Sequence, residues 1–289
     1  MTPARTAPLG TPPQGPQATP AAAAAAPGPR RITVAQVVGE VLLTIGALLL
    51  LFAFYESFWT NIASGKMQEE AQQKLEVQWD NQWVNPREQP APALGDAFAK
   101  MYIPTFGSDY QFAIIEGVDE QDLLAGPGRY PDTQMPGEAG NFAVAGHRVG
   151  KGAPFNDLGA LNTCDAIVVE TRSSWVTYRV LPMSLDPQER LNSVGPCLPE
   201  RMRQAIVLGD YAGIVGRHIT TPSDINVVNP IPGQPSMEVA EGMERLITLT
   251  TCHPQFSNAE RMIIHAVATE VLPKSPGGGE MPKAMTEVN

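Results

Sequence analysis

The chain has 289 residues, a formal net charge of −10 and a hydrophobic share of 43%, enough for one sizeable core with tails to spare. Thirty Asp and Glu against 20 Lys and Arg exclude a broad basic face for phosphates, so no nucleic-acid partner is expected. The cysteines, Cys164, Cys197 and Cys252, are too few for a disulfide scaffold and include no C-x-x-C pair of the zinc-ribbon or redox kind.

Residues 1–31 are mostly Pro, Ala, Gly, Thr and Gln, with an unbroken run from Ala21 to Ala26. They lack core-forming side chains and read as a disordered, Pro/Ala-rich cytoplasmic tail. Residues 32–59 follow as a transmembrane signal anchor: Val41 to Phe54 carries no charge, and the wider span carries only Glu40 and Glu56. Arg5, Arg30 and Arg31 precede the span, while Tyr55, Phe58 and Trp59 cluster at its far end. This keeps the N-terminus cytoplasmic and places the bulk of the chain outside the cell, on a single-pass anchor. No A-x-A site follows the apolar run, which argues against a cleaved signal peptide.

Residues 60–95 read as a stalk helix and linker. Met67, Ala71, Leu75, Trp79 and Trp83 recur every fourth position, one apolar stripe on a helix. A helix packed on its own domain would carry the same stripe. Asn85-Pro86 and the Pro/Ala run to Pro92 end it.

From residue 96 to about 272 the texture changes to short apolar runs between Gly, Pro, Asn and Asp: MYIP, FAIIEGV, NFAVAG, AIVVET, WVTYRVL, DINVV, RLITLTT and RMIIHAVATEV. These predict strands, in a mostly β domain whose antiparallel sheet closes into a barrel or sandwich. Residues 182–217 interrupt the rhythm as an insertion, with a short helix predicted over Glu200–Val207. Residues 273–289, containing Gly277 to Gly279, read as a flexible tail.

In RLITLTTC, alternation puts Leu246, Thr248, Thr250 and Cys252 on one face and Ile247, Leu249 and Thr251 on the other. HPQFSNAE then supplies turn formers, and the next strand opens at Arg261, so a hairpin returns Arg261 beside Cys252. A guanidinium favours the thiolate and can donate to a developing oxyanion, both of which serve nucleophilic acyl transfer. Such a thiol needs a proton donor for its leaving group. Of His147, His218, His253 and His265, His147 is best placed, directly after NFAVAG and behind Gly146. His253 faces away from Cys252, and His265 lies roughly 13 Å deeper by strand rise.

T-L-T-T-C at 248–252, A-G-H-R at 145–148 and E-R-M-I-I-H-A from 260 resemble the sortases, cysteine transpeptidases of Gram-positive cell surfaces. GPGRYPDTQMPGEAGNFAVAGH at 126–147, GAPF at 152–155 and TLTTCHPQFSNAER at 248–261 are most similar to class E, over about residues 96–272. The resemblance implies a closed sortase-type β-barrel with short helices. It implies Cys252 as nucleophile, His147 as general acid/base and Arg261 as the group that positions substrate and stabilises the oxyanion. Tyr130 and Thr251 are the implied substrate contacts, Tyr130 matching the tyrosine thought to favour Leu-Ala-x-Thr-Gly over Leu-Pro-x-Thr-Gly. The implied partners are surface proteins bearing a C-terminal sorting signal and a cell-wall precursor amine, with the membrane engaged by the N-terminal helix. No cofactor or metal is called for.

Two departures accompany the match. The 182–217 insertion lengthens the stretch between His147 and Cys252. Cys164 stands where the family often has Gly before an Asp, and Cys197 lies in the insertion; whether the two form a disulfide stays open, since pairing needs Cα atoms within about 7 Å. Competing readings are a cysteine peptidase without transfer, a non-catalytic surface adhesin or scaffold, and a metal site at Cys252 and the histidines, for which no four-ligand spacing is evident.

Overall fold

The computed structural model describes residues 33–81, 91–274 and 280–287. The predicted cytoplasmic tail, its arginines and Trp83 lie outside the described residues. The chain divides into two units, residues 1–49 and 50–289.

The described part of the first unit belongs to helix α1, Val34–Phe54, whose mean hydropathy is 2.5 and none of whose apolar window is buried. At 21 residues it is about 31 Å long, matching a bilayer core of about 30 Å. A π-helical stretch occupies Tyr55–Trp59, and α2 spans Thr60–Asn81.

Within the second unit, α2 packs on the β-rich domain instead of standing free as a stalk. Leu75 is 1% exposed and Ser64 is buried, while Gln68, Ala71 and Trp79 are half-buried, so the inward stripe keeps the predicted Ala71, Leu75 and Trp79, adds Ser64 and Gln68, and leaves Met67 exposed. Lys100 of the barrel reaches Glu76 at 2.6 Å, and the Lys100 and Lys274 ammonium groups lie over the Trp79 ring at 5.5 and 4.5 Å. Each such contact adds a modest cation–π or ionic term to the burial of the stripe.

The barrel strands are β1 (Ala97–Tyr102), β2 (Gln111–Glu116), β3 (Gly128–Arg129), β4 (Gly140–Ala145), β5 (Ala166–Glu170), β6 (Ser174–Val180), β7 (Arg217–Thr220), β8 (Arg245–His253) and β9 (Glu260–Pro273). Eight of them close in the order β6-β5-β1-β2-β3-β4-β8-β9, with β9 pairing back to β6. The fourteen-residue β9 is long enough to serve two neighbours: its second half closes on β6, while its first half pairs with β7. Closure leaves no open edge around the core. Phe142, Val144, Ile247, Leu249, Met262, Ile264 and Ala266 point inward together, following the period-2 alternation. Strand β4 is buried on both faces and runs parallel to β8, which accounts for its unbroken apolar run.

The insertion covers the outer face of β8 and β9. Helix α5, Glu200–Leu208, matches the predicted helix. Helix α4, Pro187–Val194, was not predicted, although Asp186 caps it by accepting from the Gln188 and Glu189 amides and Pro187 occupies its first turn. Leu181, Val194, Met202, Ile206 and Tyr211 cover Leu246 and Val267 of the barrel. Cys164 and Cys197 form a disulfide with Cα atoms 5.7 Å apart, enclosing a sequence separation of 33. Cys164 sits at φ 75°, in the left-handed region that favours glycine. Closing a loop of that length removes about 3 to 4 kcal/mol of unfolded-chain entropy in the simple model. The paired Cys164→Ala, Cys197→Ala variant is therefore expected to melt roughly 10 °C lower. Scanning calorimetry checks it, and an unshifted midpoint would show that the insertion holds without its bond.

Three segments differ from expectation. DINVV is not a strand: Ile225–Val228 is a 3-10 turn, because Pro222 and Pro230 confine the apolar run to a stretch too short to pair. RHIT, absent from the predicted strands and reaching past the end of the insertion at 217, is β7; pairing with β9 alone allows its polar composition. The C-terminal segment is docked where described: Ala284 is buried, Met285 packs beside Trp175, and Arg179 grips both carboxylate oxygens of Glu287.

Candidate active site

The thiol stands at the end of β8, in register with Arg261 of β9. Directly opposed antiparallel residues have Cα atoms about 4.5–5.5 Å apart, with side chains on one face. On the other flank β4 runs parallel, Ala145 level with Thr250, and the Gly146 amide extends the ladder by donating to the Thr250 carbonyl at 3.0 Å. Alternation puts Cys252 and Arg261 on one outer face; His147 lies two residues beyond the end of β4, where the same register, continued, would set it level with Cys252 on that face.

Local contacts shape each group. The Cys252 thiol donates to Asn258 Oδ1 at 3.4 Å, and Arg261 Nη1 donates to the Asn258 and Glu260 carbonyls at 3.3 and 3.0 Å. The β8–β9 turn thus ties thiol and guanidinium to one residue, Asn258. Cys252 is half-exposed and is the free cysteine among the described residues. His147 Nε2 is buried and without a hydrogen-bond partner. Burial first and the Lys151 ammonium second hold its proton affinity below the ordinary imidazole range, against an upward pull from Glu120. A neutral imidazole with a free nitrogen can take a thiol proton and return it.

The other histidines do different work. His253 faces away from Cys252, as alternation requires, and its Nδ1 lies 2.5 Å from Arg148 Nη1. His265 is fully buried, its Nδ1 2.8 Å from the Thr248 hydroxyl, which donates to Asn141 Oδ1 at 2.9 Å. That donation leaves the Thr248 oxygen as acceptor, so His265 carries its proton on Nδ1. Burial, and to a lesser degree His218, pushes His265 down to about 3, so it stays neutral as part of a rigid floor. His218 stacks on it with ring centroids 5.4 Å apart.

Tyr130 reaches Thr250 across the same face, hydroxyl to hydroxyl at 2.9 Å, two residues from the thiol. Thr251 is not a groove-lining residue: it is 3% exposed, points to the opposite face, and donates to the Gly146 carbonyl at 2.8 Å. It braces the backbone just ahead of His147. Arg148 went unassigned in the sequence, yet its guanidinium donates to the Cys252 carbonyl at 3.3 Å and spans the two catalytic strand ends. Its place in A-G-H-R was the available signal. No group of three or more His, Cys, Asp or Glu side chains able to hold a metal occurs among the described residues.

A half-exposed thiol in register with a guanidinium, beside the strand that leads into an imidazole, suits acyl transfer through cysteine. The chain belongs to the sortase family: the sortase domain matches residues 101–269. It is 30% identical over 254 residues to sortase SrtE1 of Streptomyces coelicolor, an alignment covering 85% of this chain and 60% of that protein. The chain therefore spans less than two thirds of that relative's length. SrtE2 of the same organism is 26% identical over 247 residues, covering 82% of this chain and 83% of that one. Among solved structures, the SrtF sortase from Corynebacterium diphtheriae is 57% identical with a TM-score of 0.68, covering 71% of this chain and 98% of that one.

Proposed function

We propose that this chain is a membrane-anchored cysteine transpeptidase. It cleaves a C-terminal sorting signal of the Leu-Ala-x-Thr-Gly or Leu-Pro-x-Thr-Gly type between Thr and Gly and joins the protein to a cell-wall amine. The observation that carries the reading is the pairing of Cys252 with Arg261 across β8 and β9, beside the end of β4 that leads into His147.

In this reading Cys252 Sγ attacks the threonine carbonyl carbon and its proton passes to His147 Nε2. The carbonyl oxygen becomes an oxyanion, which the Arg261 guanidinium stabilises. Collapse breaks the Thr–Gly C–N bond, and His147 protonates the departing glycine amine, leaving a thioester on Cys252. The acceptor amine then surrenders a proton to His147 as it attacks the thioester carbonyl. The second tetrahedral species expels the thiolate, which recovers the proton. Tyr130, over Thr250, is the residue proposed to contact the second position of the signal. The apolar α1 supports the anchor; the arginines ahead of it support a cytoplasmic N-terminus and an extracellular catalytic domain.

The test is intact mass spectrometry of the chain incubated with Leu-Ala-x-Thr-Gly and Leu-Pro-x-Thr-Gly peptides, with and without a glycine or diaminopimelate peptide. The expected products are an acyl adduct ending at threonine and, with the amine, a ligated peptide. Cleavage that stays hydrolytic at saturating amine would reduce the enzyme to a peptidase. No adduct and no cleavage with either peptide would overturn the reading.

A further inference from the structure

His147 is aimed without help from a partner on its Nε2, so its position depends on the backbone that carries it. That backbone runs into an unusual loop. Gly150, Lys151, Gly152 and Ala153 have φ of 62°, 53°, 78° and 39°, four successive residues in the left-handed region, two of them not glycine. Side chains rarely tolerate this conformation, which persists only where surrounding contacts impose it.

Those contacts come from outside the barrel. The Gly152 amide donates to Asn61 Oδ1 in the first turn of α2 at 3.0 Å. A Cβ on Gly152 would lie 2.2 Å from Gln68 Nε2, two turns further along that helix. Lys151 is tied to Glu120 of α3 (Glu120–Ala125) at 2.9 Å. Within the loop the Ala153 amide closes on the Gly150 carbonyl at 2.8 Å, and the Phe155 amide returns to the His147 carbonyl at 3.0 Å. The Phe155 ring fills the space a Cβ on Gly146 would need, so a shift of the loop is transmitted to both sides of His147.

We propose that the first turns of α2, through Asn61 and Gln68, belong to the active site as positioning residues: they impose the left-handed 150–153 loop that aims His147 at Cys252. The inference rests on the reading of His147 as the proton-transferring group. The helix following the membrane-spanning segment in sequence then sets catalytic geometry as well as connecting anchor to barrel. The charged groups that act on His147 are Lys151 from its own loop and Glu120 from α3; α2 contributes the neutral Asn61 and Gln68 to the loop.

The test compares wild type, Asn61→Ala and Asn61→Asp in the full chain in detergent micelles, Asp keeping an oxygen to accept from Gly152. Two quantities are read: kcat and KM on the sorting-signal peptide, and the His147 Hε1 titration by NMR, assigned with His147→Gln. Asn61→Ala is expected to lower kcat about 5- to 20-fold, since a small misplacement of a reacting group is costly, with KM within about twofold. The titration midpoint should rise toward about 6.5 as burial is lost. Asn61→Asp should regain most of kcat. Unchanged kcat and midpoint in Asn61→Ala, a KM rise equal to the kcat loss, or no rescue by Asn61→Asp would each overturn the proposal. If wild type itself turns over no peptide, the functional reading fails, while the titration still decides whether α2 holds His147.

Discussion

Cys252→Ser is expected to cut peptide turnover by at least about 10³-fold while leaving the fold intact. The change is nearly isosteric, and the residue sits half-exposed at a strand end, where no core packing depends on sulfur. Chemistry depends on it. A serine hydroxyl is far less acidic than a thiol and reacts only where a base, itself oriented by a third group, removes its proton in the transition state. No carboxylate is hydrogen-bonded to the His147 ring among the described residues, and Glu120, whose charge reaches it, is engaged with Lys151. The site is thus built for a nucleophile that needs little activation. Chromatographic assay of peptide cleavage checks this, and a residual rate within tenfold of wild type would remove Cys252 from the role.

The second large effect is on stability. Glu116→Ala is expected to destabilise the protein by about 3–5 kcal/mol. Glu116 is 4% and Arg129 6% exposed. Arg129 Nε and Nη2 meet the two carboxylate oxygens at 2.7 and 2.8 Å, and Nη1 donates to the Thr133 carbonyl. Removing the carboxylate strands a buried guanidinium, which costs far more than the pair contributes over an apolar replacement. A double variant, Glu116→Leu with Arg129→Met, is accordingly expected to lose much less than Glu116→Ala. Function should follow stability here, because Arg129 precedes Tyr130, and Thr133 bonds the Tyr130 carbonyl at 2.7 Å and the Ala143 amide at 3.2 Å. Urea unfolding with peptide KM on the same samples tests both parts. A loss below about 1 kcal/mol would mean that water reaches Arg129.

Much of the site was legible because it is local. Eight residues of turn chemistry separate Cys252 from Arg261, and a hairpin is the short-range solution for such a stretch, so their pairing follows from sequence. The same alternation that faces Cys252 outward turns Thr251 inward, and this signal outweighs a motif that names both. The charge-free helix was equally legible, since length and composition alone define a candidate membrane span. The disulfide was not legible, because Cα proximity between Cys164 and Cys197 depends on how the insertion folds back. Nor was the docking of α2, since an apolar stripe at every fourth residue looks the same whether it meets a barrel or a partner.

What the sequence by itself determined is therefore the chemistry and its local carriers: a thiol at a strand end, a guanidinium across a turn, an imidazole behind a glycine, an apolar helix ahead of a β-rich domain. Only the tertiary structure decided that β4, which leads into His147, lies beside β8, which carries Cys252, through a parallel pairing between distant segments. Period-2 alternation assigns a face but not a neighbour. Neighbours across a barrel are chosen by closure and core packing, which no local window contains.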